Sequence, residues 1–244
     1  MKKHYWFIII TYMILQLSGY AGIKLFSLLN IGGTDVERFA YWTIFSFTLS
    51  FLIILYFLRH ERHAESRFRG EPSSTGASIG WAIIGFFLAI FVQGLAANIE
   101  VNVFGVDPGS ENTQRIVNLI ELFPLVMLVT SIIGPILEEI IFRKILFGVL
   151  YTRTNFFIAA LISSLIFSLL HGEPQHVLLY GAMGFTFAFL YVKTKRILVP
   201  IFAHVSMNTM VVIIQTVFRE DIERMMQQME QLEQMQVIIG GFLK

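Results

Sequence analysis

The feature that most constrains this chain is Gly134-Pro135-Ile136-Leu137-Glu138-Glu139-Ile140-Ile141-Phe142-Arg143, which sets two carboxylates and a guanidinium inside an apolar run from Leu122 to Tyr151. The run reads as membrane-spanning. A charge at membrane depth costs at least ~2.5–3.5 kcal/mol per residue on insertion scales, and residues kept there mark functional sites. Chemistry inside the bilayer is therefore the first hypothesis.

The rest of the chain agrees with a bilayer setting. Of its 244 residues 55% are hydrophobic and only 14% charged, and the mean hydropathy is +0.68, which excludes an ordinary water-soluble domain. A span needs about 20 apolar residues. About seven segments qualify, near 5–29, 39–58, 78–97, 116–150, 155–171, 175–192 and 197–217; the fourth is over-long and contains Pro124 and Gly134-Pro135 as candidate breaks. An isolated lipid-facing segment satisfies its backbone polar groups only as a helix. The expected fold is all-α, a polytopic transmembrane helical bundle of about seven or eight spans. Cysteine is absent, which removes disulfides, thiolate catalysis and Cys-ligated metals together. A net charge of +1, without a basic patch of interleaved aromatics, gives no footing for a nucleic-acid partner.

Lys2 and Lys3 precede the first apolar stretch as in a signal peptide, but the stretch is long and no small-residue cleavage site follows it. It reads as an uncleaved first span. Lys2/Lys3, the Arg59–Arg69 loop (with Arg62 and Arg67) and Lys193-Thr194-Lys195-Arg196 fit the cytoplasmic side. The loops Asn30–Arg38 and Asn98–Arg115, richer in Asp35, Glu37, Glu100, Asp107 and Glu111, then face outward. Lysine and arginine placement of this kind sets orientation. The expectation is an integral, multi-pass protein of the plasma membrane with a cytoplasmic N-terminus and the lipid bilayer as its first partner.

Residues 1–77 read as two N-terminal transmembrane helices and a basic cytoplasmic connector, which carries His60, His63 and Pro72-Ser73-Ser74. Residues 78–217 hold the spans that carry polar side chains. In the tail, 218–244, Ile222, Met225, Met226, Met229 and Leu232 recur at helical spacing opposite Glu223, Gln227, Gln228 and Glu230. That is the pattern of an amphipathic helix on the membrane, or of a short coiled-coil contact.

On a helix, Glu139 and Arg143 are four residues apart and share a face. Glu138 points about 100° away from Glu139. The natural division pairs Glu139 with Arg143 and leaves Glu138 to face a cavity, where a carboxylate can act as a general base. A bland alternative, an ion pair that holds two helices together, accounts for Glu139 and Arg143 but not for Glu138. Two further polar events follow, Phe167-Ser168-Leu169-Leu170-His171 and His204-Val205-Ser206-Met207-Asn208. Each alone could be an interfacial histidine or an interhelical hydrogen bond. Together they put two carboxylates, two imidazoles, an amide and an arginine on three consecutive polar-bearing helices, a set able to activate water on a carbonyl. His176 reads as a loop residue. There is no His-Glu-x-x-His for a zincin-like site, no aspartate in a span for an aspartyl mechanism, and no serine in a Gly-x-Ser-x-Gly turn.

The motifs Glu138-Glu139-x-x-x-Arg143, Phe167-x-x-x-His171 and His204-x-x-x-Asn208, in this order, resemble the CAAX protease and bacteriocin-processing (CPBP, or Abi) family of intramembrane endopeptidases, with no departure at any motif position. The resemblance covers roughly Ile116 to Gln215, within a CPBP-like catalytic membrane domain over 78–217. It implies a membrane peptidase similar to the type II CAAX prenyl endopeptidases, acting on a peptide or lipidated-protein substrate of CAAX-like or leader-peptide kind. By that resemblance Glu138 activates water with help from His171, His204 and Asn208 stabilise the oxyanion, and Arg143 holds Glu139. The family has been described both as metalloproteases and as metal-independent glutamate proteases. No cofactor is favoured, although Glu138, His171 and His204 are three zinc-type ligands. The alternatives are a transporter with a Glu/His proton relay and a non-catalytic bacteriocin-immunity protein; only the fourth segment is broken, which does not match the paired broken helices of many transporters.

Overall fold

A computed structural model describes residues 2–59, 71–219 and part of 221–235. Among the described residues there are nine helices and no strands. Helix α1 (Lys3–Leu17) leads into α2 (Gly19–Leu28) through a bend of 65°. Ser18 fixes that bend: its Oγ donates to the Leu15 carbonyl and accepts from Trp42 Nε1 at 2.9 Å. Helix α3 (Asp35–Leu58) starts at a capping box, Thr34 with Glu37, which satisfies two of the backbone N–H groups that a helix start leaves open.

Helix α4 (Thr75–Phe104) starts on Ser74 and ends at Gly105, whose φ of 67° suits glycine. The helix runs past Asn98, so Glu100 lies in its last turns rather than in an exposed loop. Helix α5 (Glu111–Leu122), capped by Ser110, is amphipathic; it buries Val117 and lays Ile120 against Ala40, Val126 and Val212. The chain turns at Pro124 and begins α6, which runs over 126–151.

Helix α6 does not break at Gly134-Pro135. Its α-turns at Val126–Leu128, Gly134–Glu138 and Gly148–Tyr151 alternate with π-helical stretches at Val129–Ile133 and Glu139–Phe147. Proline gives no N–H, and its ring would strike the carbonyl four residues back, that of Ser131; the wider i→i+5 turn just before it makes room. Ser163 Oγ donates to the Phe142 carbonyl at 2.8 Å, inside the second π stretch.

Helix α7 (Phe156–Leu169) is followed by a 3₁₀ turn (Pro174–His176), α8 (Val177–Thr194) and α9 (Leu198–Val217). Helix α8 is central, packed against α4, α7 and α9. The residues of α1 enter the same core cluster as α6: Tyr5, Ile8 and Tyr12 with Ile140, Ile141 and Phe142.

Of the seven segments expected to span, four are helices long and apolar enough to cross a membrane: α3, α4, the stretch Pro174–Thr194 and α9. The bent α1–α2 pair is a fifth if taken as one span. The 116–150 segment divides because α5 is amphipathic and α6 carries its charges, and α7 has only 14 residues. Large apolar side chains such as Phe87, Phe91, Phe157 and Leu198 are more than 60% exposed. A soluble surface does not present so much apolar area, and lipid is its natural solvent. Residues 60–70 of the basic connector and most of the tail after Arg219 lie outside the described residues.

Helices α7 and α8 pack closely. A Cβ on Gly184 would stand 2.9 Å from Ser164 Cα and overlap the serine side chain, whereas one on Gly181 would meet nothing within 4 Å. Gly184→Ala should therefore destabilise the protein in detergent by about 1–3 kcal/mol, as overpacking does. Gly181→Ala should be neutral or slightly stabilising, because alanine is the better helix former. Equal melting temperatures for the two variants would contradict this packing.

Candidate active site

The charged residues of α6 are held in two different environments. Glu139 and Arg143 are 0% and 1% exposed, with Arg143 Nε 3.4 Å from Glu139 Oε2. Glu139 Oε1 accepts from His204 Nδ1 at 2.9 Å, which ties α6 to α9. The guanidinium lies 4.4 Å from the Phe167 ring centroid and 5.2 Å from that of Phe187. Its N–H groups have no hydrogen-bond partner among the described residues. With the Phe142 ring at 5.9 Å, it has the Glu139 carboxylate and three aromatic rings around it, and ring faces attract a cation electrostatically. Glu138 is different: its side chain is 20% exposed and its Oε2 stands 3.8 Å from His204 Nε2, beyond hydrogen-bond reach. One imidazole therefore has a carboxylate bonded at Nδ1 and another near Nε2.

Phe167 joins the two histidines, its ring centroid 4.6 Å from that of His171 and 6.1 Å from that of His204. His171 lies just past the end of α7 rather than within it, and its Nδ1–H donates to the Phe167 carbonyl at 2.8 Å. Its ring stacks on Tyr180 at 4.0 Å, and that of His204 on Phe187 at 4.6 Å. A cavity of about 680 Å³ has His171, His204 and Asn208 in its walls, with Met183, Phe187 and Met207 as apolar lining. Glu138 is not one of its walls, and His204 connects it to that space. The structure thus brings Glu139, Arg143 and His204 into direct contact and sets Glu138 beside them. His171 and Asn208 join them through Phe167 and the shared cavity.

A second buried cluster has no counterpart in the motif reading. Glu100, 1% exposed, accepts from His176 Nδ1 and from the Leu179 backbone N–H, both at 2.8 Å. The carboxylate thus caps the start of α8. Glu173 accepts from the Asn112 N–H, from Ser110 Oγ and from Tyr180 Oη, so it joins the start of α5 to the ring that supports His171. Burial opposes ionisation of Glu173, but the hydrogen bonds from Tyr180, Asn112 and Ser110 prevail and hold its carboxyl below the usual carboxylate range. Single acids and tyrosines near helix ends carry no spacing signal, and Phe187 is one aromatic in an apolar helix; none could be singled out from sequence.

The histidines commit Nδ1 to Glu139 and to a carbonyl, as metal-binding histidines also do. Yet among the described residues no three His, Asp or Glu side chains are placed to hold a metal ion. Glu138, His171 and His204 do not form such a group.

The family pattern described as type II CAAX prenyl endopeptidase, Rce1-like, matches residues 120–210, which contain the whole of this cluster. YdiL of Bacillus subtilis, named as a candidate membrane peptidase, is 51% identical over 247 residues, 99% of this chain and 99% of its own. The chain belongs to the CAAX-protease family of membrane peptidases. The membrane-embedded CAAX protease MroQ of Staphylococcus aureus is 36% identical over 156 residues, 62% of this chain and 63% of MroQ. No solved structure matches the chain. The protein is accordingly an integral membrane hydrolase of peptidase class, and the transporter reading is set aside.

This CAAX-protease relative should respond unequally to loss of its adjacent glutamates. Glu139→Ala leaves the Arg143 guanidinium buried without its carboxylate, and breaking a buried pair costs about 3–5 kcal/mol; expression and melting temperature should fall. Glu138→Ala removes a partly exposed carboxylate with no close hydrogen bond and should melt like the wild type. Identical melting curves for the two variants would refute the assignment.

Glu173 supplies a pH dependence. Its folded-state affinity for protons is lower than the unfolded value of about pH 4.3. Its contribution to stability is therefore complete above that value and is lost as pH falls through the folded-state pKa. Compared with wild type, Glu173→Gln should be less stable by a constant amount above about pH 5, with the difference shrinking below about pH 4. A difference that is independent of pH would show that the carboxylate does not act through its charge.

Proposed function

We propose that this peptidase hydrolyses a peptide bond in a membrane-associated substrate of CAAX-like or leader-peptide kind, with water activated by Glu138. The observation that carries this reading is the contrast between two adjacent carboxylates. Glu139 is spent on Arg143 and His204, whereas Glu138 is partly exposed and stands 3.8 Å from His204 Nε2.

In this mechanism Glu138, helped by His171, takes a proton from water as the oxygen attacks the scissile carbonyl carbon. The carbonyl π electrons move onto oxygen, and His204 Nε2–H and the Asn208 side-chain amide donate to that oxyanion. Collapse of the tetrahedral species breaks the C–N bond, and Glu138 returns its proton to the leaving amine. Glu139 orients the His204 ring through Nδ1–H, the task a carboxylate performs for histidine in other hydrolases. No metal enters this scheme.

The finer placement belongs to the same proposal: a plasma-membrane protein with a cytoplasmic N-terminus, as the lysine and arginine positions suggest.

Purified protein incubated with a panel of prenylated and leader-bearing peptides should give products detectable by mass. Glu138→Ala should abolish turnover, and near-wild-type turnover in that variant would falsify its role. His204→Ala or Asn208→Ala should lower kcat by ~10²–10³ with little change in KM, the signature of lost oxyanion donors. Activity should survive exhaustive chelation. Stoichiometric zinc that is lost from His204→Ala would overturn the metal-free scheme.

A further inference from the structure

The bundle has two chemically different ends. At one, the start of α1 meets the end of α3, with the Phe7 and Phe57 rings stacked at 5.4 Å. The chain before α4 is fastened to the α8–α9 corner there: Arg196 Nε donates to the Ser73 carbonyl at 2.7 Å and Lys195 Nζ to that of Glu71 at 3.1 Å. The α6–α7 turn joins the same end, where Phe147, Leu150 and Phe156 pack with Tyr191 and Ile197. It carries Lys2, Lys3, Arg59, Arg153, Lys195 and Arg196 against the acid Glu71.

At the other end, Glu100 caps the start of α8 and Glu173 binds the start of α5. Arg219, after α9, pairs with Glu121 of α5 at 2.6 Å. There Asp35, Glu37, Asp107, Glu111, Glu121 and Glu173 outweigh Lys24, Arg38, Arg115 and Arg219. Lysine and arginine collect on the cytoplasmic side of membrane proteins, so the first end is cytoplasmic and the second is not.

The cavity extends from the second end to about the middle of the bundle. Its walls take residues 90–102 of α4, 179–187 of α8 and 204–212 of α9, and none from 75–89 or 188–203. Its rim is polar and exposed, with Asn98, Asn102 and Asp107, and its depth is apolar, with Met183, Phe187 and Met207. Water therefore enters it from the end poor in lysine and arginine.

We infer that the site opens on the extracytoplasmic face, so that its substrate is a peptide segment exposed outside the membrane, delivered by an export step or embedded in the outer leaflet. A lipidated C-terminus displayed in the cytoplasm would face the closed end. The inference deepens the peptidase reading and rests on it for the chemistry, but the side of access is testable by itself.

The chain has no cysteine, so single introduced thiols report position without background. Asp107→Cys at the rim should react with a membrane-impermeant maleimide in intact cells. Arg153→Cys, in the turn at the basic end, should react only after permeabilisation. Labelling of Arg153→Cys in intact cells, or protection of Asp107→Cys, overturns the inference.

A peptide cleaved by the detergent-solubilised protein then gives the functional arm. Supplied outside, it should be cut by right-side-out vesicles and not by inverted ones. The opposite result overturns the side of access and leaves the peptidase reading standing. Absence of cleavage in detergent by any peptide of the panel counts against the peptidase reading, while the thiol labelling still decides the side.

Discussion

The structure depends on one buried contact, Arg143 with Glu139 and, through Glu139, His204. A guanidinium with almost no exposure and, among the described residues, no hydrogen-bond acceptor beyond an ion pair at 3.4 Å is tolerable only if its surroundings are fixed. The fixing elements come from three other helices: Phe167 from α7, Phe187 from α8 and His204 from α9. Moving any of them away leaves a charge without compensation in a region that lipid surrounds. The contact thus acts as a registration point, setting the rotation and depth of four helices relative to one another. Buried ion pairs are weak evidence for net stability, and here the pair is better understood as specifying which arrangement forms.

That registration leaves Glu138 distinct from its neighbour. The two carboxylates are adjacent in sequence, yet one is enclosed and the other is partly exposed. The difference arises where α6 changes from an α-turn ending at Glu138 to a π stretch beginning at Glu139. The ring of His204 lies between the two acids and communicates with both, so the structural part of the site and its reactive edge are separated by a single imidazole.

Much of this was legible in the sequence because membrane burial makes charge conspicuous. Glu138, Glu139 and Arg143 stand out only because Ile, Leu and Phe surround them, and spacing of four placed Glu139 with Arg143 correctly. The all-helical fold followed from the same apolar runs. The count of spans did not follow as directly, because hydropathy cannot tell that 116–150 holds an amphipathic helix, a turn and a second helix. The cluster of Glu100, His176, Glu173 and Tyr180 was hidden for another reason. Its members are contributed by the ends of α4 and α8 and the turn between α7 and α8, and only the folded topology brings them together. Glu100 in particular looked like part of an outward loop until α4 was seen to continue to Phe104.

The π stretch of α6 has one more consequence, for the phase of the helix. A π turn holds one residue more than an α turn, so side chains beyond it do not face where a period of 3.6 would put them. Deleting a single residue from 139–147 would let the backbone relax to ordinary α geometry and leave the flanking segments close to their present phase, whereas the same deletion from a plain α stretch rotates one side against the other by about 100°. The spare residue is taken up inside the wide turn, so that one continuous rod keeps Glu138 beside His204 while Arg143 and Phe147 stay in the core.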